Sequence, residues 1–94
     1  MRDSEAEERE AQTMTNTIRQ ILEQHGRLPV TLEGLSDNAD LYQAGMTSHA
    51  SVSVMLALEN EFNLEFPDHM LKRSAFESVS AIRDAVESLQ ALTV

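Results

Sequence analysis

Hydrophobic residues recur at helical spacing in three stretches of this chain, and none of these stretches alternates as a strand would. The first stretch places four side chains on one face of a helix: Met14, Ile18, Ile21 and Leu22. Gly26 follows as a suitable C′ residue, and Pro29 prevents the helix from continuing. The pattern therefore predicts an amphipathic helix that ends at His25 and Gly26.

The second stretch is the most apolar, and it begins after Thr47 and Ser48, which are both good N-cap residues. Its side chains form two stripes: Val54, Leu58 and Phe62 lie along one, and Val52 and Leu56 along the other. Such a wide apolar surface fits either a helix packed on two sides or a helix with one stripe exposed for docking. In a domain this small, we expect the second stripe to meet solvent. Ser48 then lies at the entrance of this helix.

The third stretch predicts a helix near the C-terminus, with Ser78 or Ser80 as its N-cap. Its apolar face consists of Val79, Ile82, Val86 and Leu89. Between the second and third helices, Asp68 is a suitable cap for a brief helix through His69–Arg73.

Residues 27–47 form a long connection for so short a protein, and loops of this length are usually functional or disordered. This one carries too many apolar side chains for a free linker, so we expect it to be pinned to the core. One helical turn is predicted near Leu41–Ala44, capped by Asp40 and stopped at Gly45. Together the elements predict an all-α fold, a small four-helix bundle with three longer helices, one short helix and a long loop between the first two.

The 94-residue chain carries a net charge of −9 and no cysteine. Residues 1–10 form an acidic extension, predicted to be either a frayed helix or disordered, and residues 11–94 form one domain. The charge argues against nucleic acid and membrane surfaces as partners and favours proteins with basic patches. The N-terminus lacks the apolar region of a secretory signal. A monomeric, cytoplasmic protein is the simplest expectation.

Catalytic and metal-binding patterns are weak in this sequence. His25, His49 and His69 are far apart and form no metal-binding pair. Ser48 is poorly supported as a hydrolytic nucleophile, because His49 points about 100° away from it on a helix. Glu59 and Glu61 are about 200° apart on the same helix, so they do not form a general acid–base pair. We therefore do not expect an enzyme.

The order of several short motifs carries a resemblance to a known family. D-x-Y-x-x-G leads into G-x-x-S at the helix entrance, and A-L-E-x-E-F ends the same helix. N-L-E-F-P-D and S-V-S-A-I-R-D-A-V follow in order. From Asp40 to about Leu92 the chain resembles acyl and peptidyl carrier proteins around their phosphopantetheine attachment site.

The resemblance implies a specific role for Ser48. In that family a phosphopantetheinyl transferase attaches 4′-phosphopantetheine to this serine, and the arm holds an acyl or aminoacyl group as a thioester. A loading ligase supplies the group, and downstream transferases receive it. A phosphodiester at a helix N-terminus is also favourable because free amides and the helix dipole attract anions. Without a prosthetic group, the alternative function is an acidic helical adaptor that binds partners through its apolar helix.

The chain departs from fatty-acid carriers around the attachment serine. Neutral residues occupy the first turns of the helix (Thr47, His49, Ala50 and Ser53), and Lys72 and Arg73 lie in a lengthened segment after Pro67. T-S-H-A-S-V and F-P-D-x-x-L-K-R are similar to small stand-alone carriers loaded with amino acids by truncated synthetase-like ligases. Aminoacyl and acyl cargoes both remain open. We expect partner docking through Thr47, His49, Val52, Leu56 and Glu59.

Overall fold

The computed structural model describes residues 2–29 and 31–92 of the chain. Three α-helices are joined by irregular segments: α1 is Arg2–His25, α2 is Ser48–Phe62 and α3 is Val79–Leu92. Helix α1 packs against both other helices. No strand occurs in the part of the chain that the structure describes. The all-helical prediction is confirmed.

The core lies where the three helices meet. Its fully buried side chains come from each of the predicted apolar faces: Ile18, Leu22, Val54, Leu58, Val79, Ile82 and Val86. The loop between α1 and α2 adds Leu41, and the segment before α3 adds Phe66 and Phe76, whose ring centroids are 5.3 Å apart. The helical spacing of apolar residues therefore identified the core correctly.

Helix α1 ends differently from the predicted C-cap. The residue in the left-handed region is Arg27, with φ of 51°, rather than Gly26. Gly26 is needed for a different reason, since a Cβ on it would lie 2.6 Å from the Leu22 carbonyl oxygen. The backbone N–H of Gly26 donates to that same oxygen at 2.8 Å.

The long loop between α1 and α2 is pinned, as predicted. The Arg19 guanidinium donates hydrogen bonds to the Leu32 carbonyl at 2.8 Å and the Leu35 carbonyl at 3.0 Å, and it pairs with the Asp37 carboxylate. The backbone N–H of Leu41 donates to the Glu77 carbonyl at 2.7 Å, which ties the loop to the segment before α3. The loop therefore forms part of the folded domain.

The predicted short helix after Asp68 is wrong. Two separate 3-10 turns, Asp68–Met70 and Arg73–Ala75, occupy this region, and the side chain of Asp68 caps neither. Lys72 has an extended backbone between them, with φ of −143° and ψ of 158°. So short a helix gains few hydrogen bonds for the residues it orders, which favours single turns. The fold is therefore three α-helices with two 3-10 turns in the segment that leads to α3.

Helix α3 begins with a serine cap. Ser78 is the cap of the two candidates, because its Oγ accepts a hydrogen bond from the Ala81 N–H at 3.0 Å. The N–H of Ser80 instead donates to the Asp37 carbonyl at 2.9 Å. This second bond joins the start of α3 to the pinned loop.

Candidate functional site

The entrance of α2 is built by a tight turn. Asp40 Oδ1 accepts hydrogen bonds from the N–H groups of Tyr42 and Gln43 at 2.9 and 3.2 Å, and Gly45 ends the turn with φ of 120°. A Cβ on Gly45 would lie 2.6 Å from the Pro29 ring, so glycine is needed here for both backbone angle and space. The predicted turn, its Asp40 cap and its glycine stop are confirmed.

Thr47 is the N-cap of α2. Its backbone is extended, and its Oγ1 accepts a hydrogen bond from the Ala50 N–H at 3.0 Å. Ser48 is therefore the first helical residue rather than the cap, and its side chain is exposed. Among the described residues, none makes a hydrogen bond with the Ser48 hydroxyl. This leaves an accessible nucleophilic oxygen at the start of the helix.

A groove of about 330 Å³ opens beside Ser48. It lies between α2 and the segment that carries the two 3-10 turns, and nine residues line it: Tyr42, Ser48, Ser51, Val52, Met55, Leu71, Lys72, Arg73 and Phe76. The lining is mainly apolar away from Ser48. Leu71 and Val52 are about half exposed, at 47% and 51%. The groove can therefore accept an extended group attached at the serine.

The charge around Ser48 differs from that of the whole chain. The net charge is −9, yet none of the residues lining the groove is acidic. The lining instead includes the basic residues Lys72 and Arg73. The first turn of α2 also has no acidic residue. Arg73 lies over the ring of Tyr42, with its guanidinium carbon 4.3 Å from the ring centroid. A negatively charged group on Ser48 would meet no carboxylate in this groove.

Comparison with known proteins decides the family. Residues 16–86 match the phosphopantetheine attachment site family. The chain belongs to the phosphopantetheine-binding carrier proteins. It is 49% identical over 74 residues to a curated aminoacyl carrier protein from Agrobacterium fabrum (strain C58), a match that covers 79% of this chain and 89% of that protein.

Two solved structures are also similar to this carrier. Both contain engineered Bradyrhizobium japonicum glycine:carrier protein ligase with a carrier protein from Agrobacterium tumefaciens, one with ATP and one with AMP. The first matches at 48% identity and a TM-score of 0.78, covering 80% of this chain and 97% of the matching chain. The second matches at 48% identity and a TM-score of 0.76, covering 78% and 97%. In each complex the match covers 97% of the matching chain, so that chain is no larger than this one and is the carrier protein rather than the ligase.

The prosthetic group of the family is 4′-phosphopantetheine, attached covalently to a serine. The groove satisfies three requirements of such a group. It offers an exposed hydroxyl on Ser48, open space of about 330 Å³ beside that hydroxyl, and a lining without carboxylates. The residues present therefore fit the group.

The residues predicted to dock partners occupy different surroundings. Thr47 and His49 are exposed beside Ser48, and the predicted exposure of Val52 and Leu56 is confirmed at 51% and 56%. Val52 lines the groove next to Ser48, whereas Leu56 lines a separate hollow between α2 and the end of α1. The second stripe therefore serves two surfaces of the carrier rather than one. Its role in docking stays a prediction.

Glu59 has an internal contact that the sequence did not indicate. Its Oε2 accepts a hydrogen bond from the Phe66 N–H at 2.8 Å and so holds the chain beyond the end of α2. Ala50, one of the neutral residues in the first turns of α2, is only 3% exposed and therefore belongs to the core rather than to the surface around Ser48. Ala50, Val54 and Leu58 are spaced four residues apart and so share one helical face. This spacing is the signal in the sequence that could have revealed the burial of Ala50.

Lys72 and Arg73 stand out in the sequence, but the sequence does not predict that they lie in the same groove as Ser48. The fold of the segment after Pro67 places both residues in the groove lining and Arg73 over the ring of Tyr42. Among the described residues, no group of three His, Cys, Asp or Glu side chains is placed to hold a metal ion. Within the same residues, no helix has the length and apolar character needed to cross a membrane.

Proposed function

We propose that Ser48 is the residue that carries 4′-phosphopantetheine, bound through Oγ as a phosphodiester. The observation that carries this proposal is the exposed, uncommitted hydroxyl at the first residue of α2, next to an open groove. The bound group supplies the thiol that this cysteine-free chain lacks. The chain itself catalyses nothing in this proposal, and its residues orient the attachment point for partner enzymes.

Neighbouring hydroxyls are less suitable for attachment. Thr47 Oγ1 is engaged as the N-cap of α2, and Ser51 Oγ donates to the Ser48 carbonyl at 2.7 Å. Modifying Thr47 would also remove the cap, at a cost of about 1 kcal/mol. Ser48 therefore differs from both neighbours in having a hydroxyl with no structural task.

The attachment test is a comparison of intact masses. The purified protein is incubated with coenzyme A and a broad-specificity phosphopantetheinyl transferase. We expect a gain of one phosphopantetheine, no gain for Ser48→Ala, and an undiminished gain for the matched control Ser51→Ala. Gain in Ser48→Ala would assign the arm to another residue. No gain in any folded variant would favour the adaptor function.

We also infer that the cargo is an amino acid, delivered by a synthetase-like ligase. The supporting relatives are an aminoacyl carrier protein and a carrier in complex with a glycine ligase. The absence of acidic residues from the first turn of α2 points the same way, because a basic fatty-acid enzyme gains little attraction there. Charges at an interface rim act mainly on association rate and on rejection of wrong partners.

The cargo test uses charge to separate the two enzyme classes. Holo protein is offered to an amino-acid ligase and to an acyl-loading enzyme, and initial rates are compared. Because Ala50 is buried, acids are introduced at the exposed positions, as Thr47→Asp and His49→Glu. We expect both changes to speed the acyl enzyme and not the ligase. If the unmodified holo protein accepts acyl groups as fast as an ordinary fatty-acid carrier, the aminoacyl proposal fails.

Docking is proposed to use the surface around Ser48. Val52 lies in the groove beside the attachment point, and Thr47 and His49 border it, so an enzyme that reaches Ser48 contacts them first. Leu56 and Glu59 lie further along α2 and would extend this contact. We propose that the carrier acts as a monomer, with the transferase, the ligase and downstream transferases binding in turn.

A further inference from the structure

The groove beside Ser48 carries two positive charges and no carboxylate in its lining. The protein has seven Lys and Arg residues against sixteen acids, and two of the seven line this one groove. Lys72 is the chain's single lysine.

The pair has no acidic partner among the described residues. Arg19 and Arg83 each pair with a carboxylate, of Asp37 and Glu87 respectively. Arg73 instead stacks on Tyr42 at 4.3 Å, which orients the guanidinium without neutralising it. The groove that Ser48 lines therefore also presents an oriented arginine and a lysine, with no carboxylate in its lining.

We propose that Lys72 and Arg73 bind the phosphodiester of the arm on Ser48 and thereby hold the arm along the groove. This inference rests on the attachment to Ser48 proposed above. Guanidinium and ammonium groups make strong charge-assisted hydrogen bonds to phosphate oxygens. The remaining apolar wall, from Val52 and Met55 to Leu71, then covers the less polar part of the arm.

Holding the arm has a consequence for the carrier. An arm held by Lys72 and Arg73 stays against its own protein between encounters with partners. The attraction is electrostatic, so salt weakens it, and the screening length falls from about 10 Å at 0.1 M salt to about 3 Å at 1 M.

The test measures the motion of the phosphorus atom in holo protein. A phosphate on a free arm moves on the picosecond-to-nanosecond timescale, so its ³¹P transverse relaxation is slower than that of a phosphate held on the tumbling domain. We expect Arg73→Gln, Lys72→Gln and 1 M salt each to reduce the wild-type ³¹P relaxation rate, and the double variant to reduce it about twofold or more. Arg73→Lys should retain part of the wild-type rate because it keeps the charge.

The matched control is Arg27→Gln, which removes the same charge from an exposed position outside the groove. We expect it to leave the ³¹P rate unchanged. A second readout is the set of backbone amide shifts of residues 71–73, which should differ between apo and holo wild type but not between apo and holo double variant.

The outcomes separate this inference from attachment itself. A mass spectrum of each sample shows whether the arm is present on Ser48. If the arm is present but its ³¹P relaxation in wild type matches that of the Lys72→Gln, Arg73→Gln double variant, the proposed binding is wrong and the attachment stands. Equal rates in wild type, Arg73→Gln and Arg27→Gln would also overturn it. If these variants slow only the ligase reaction and leave the ³¹P rate unchanged, the pair serves partner docking instead.

Discussion

Two irregular segments connect the helices of this carrier, and they use arginine in opposite ways. In the loop between α1 and α2, Arg19 is surrounded by acceptors and holds the loop against the helix. In the segment before α3, Arg73 contacts an aromatic ring and faces the groove beside Ser48. The first arginine stabilises the loop through its acceptors, whereas the second pairs with no carboxylate among the described residues and lines the groove.

The leucines of the two segments show the same contrast. Leu41 is completely buried in the first segment, whereas Leu71 is 47% exposed in the second. A leucine this exposed should contribute little to the free energy of unfolding. Both connections reach the core, since Phe66 and Phe76 of the second are buried, but the second also presents an exposed leucine in the groove beside Ser48.

The largest expected effect comes from this pair of leucines. Leu41→Ala should lower the free energy of unfolding by about 2–5 kcal/mol, because it leaves a cavity in the core. Leu71→Ala should change it by about 0.5 kcal/mol or less, as is usual at exposed positions. Urea denaturation of both variants measures the difference. Similar losses at the two positions would show that Leu71 is also a core residue.

The arginines should give the next largest effect. Arg19→Gln should cost about 1.5–3 kcal/mol, since hydrogen bonds from a charged group to the Leu32 and Leu35 carbonyls are lost. Arg73→Gln removes a contact with Tyr42 only and should cost about 0.5 kcal/mol. Thermal unfolding of the apo variants tests this. If Arg73→Gln is the more damaging change, the second arginine is structural and the contrast fails.

The sequence predicts the helices well because helical faces are local patterns. Ile18 and Leu22, like Val54 and Leu58, are four residues apart, and each pair is fully buried as the spacing requires. The turn at Asp40 and Gly45 was also predictable, since these residue types favour one backbone geometry.

The contacts that distinguish the two segments could not be predicted in this way. Arg19 bonds to backbone carbonyls 13 and 16 residues further along the chain, and a backbone acceptor leaves no pattern in the sequence. Lys72 and Arg73 line one groove with Ser48, in a segment that folds as two 3-10 turns rather than the expected short helix. The groove is therefore a product of long-range packing, although its separate residues were visible in the sequence.

Glu59 offers a smaller test at the start of the second segment. Its carboxylate accepts the Phe66 N–H at 2.8 Å, so Glu59→Ala should cost about 1–2 kcal/mol by leaving that N–H without its partner. Glu61→Ala is the matched control on an exposed turn of the same helix, and it should cost about 0.5 kcal/mol or less. Amide hydrogen exchange at Phe66 should accelerate in the first variant and not in the second. Equal exchange rates at Phe66 in the two variants would show that the Glu59 carboxylate does not hold this segment.

The smallest effect on folding is expected at Leu56, which lies on helix α2 between the two segments. Because it is 56% exposed, Leu56→Ala should leave the free energy of unfolding within about 0.5 kcal/mol of wild type. Leu58→Ala, two residues away and fully buried, should cost about 2–5 kcal/mol.

If Leu56 contributes to partner docking, its truncation should slow aminoacyl loading of the stable holo protein by a ligase, and Leu71→Ala should slow it as well, through loss of a contact in the groove. A loss of loading rate at Leu71 alone would limit docking to the groove beside Ser48. A loss of stability at Leu56 equal to that at Leu58 would show that Leu56 is also a core residue.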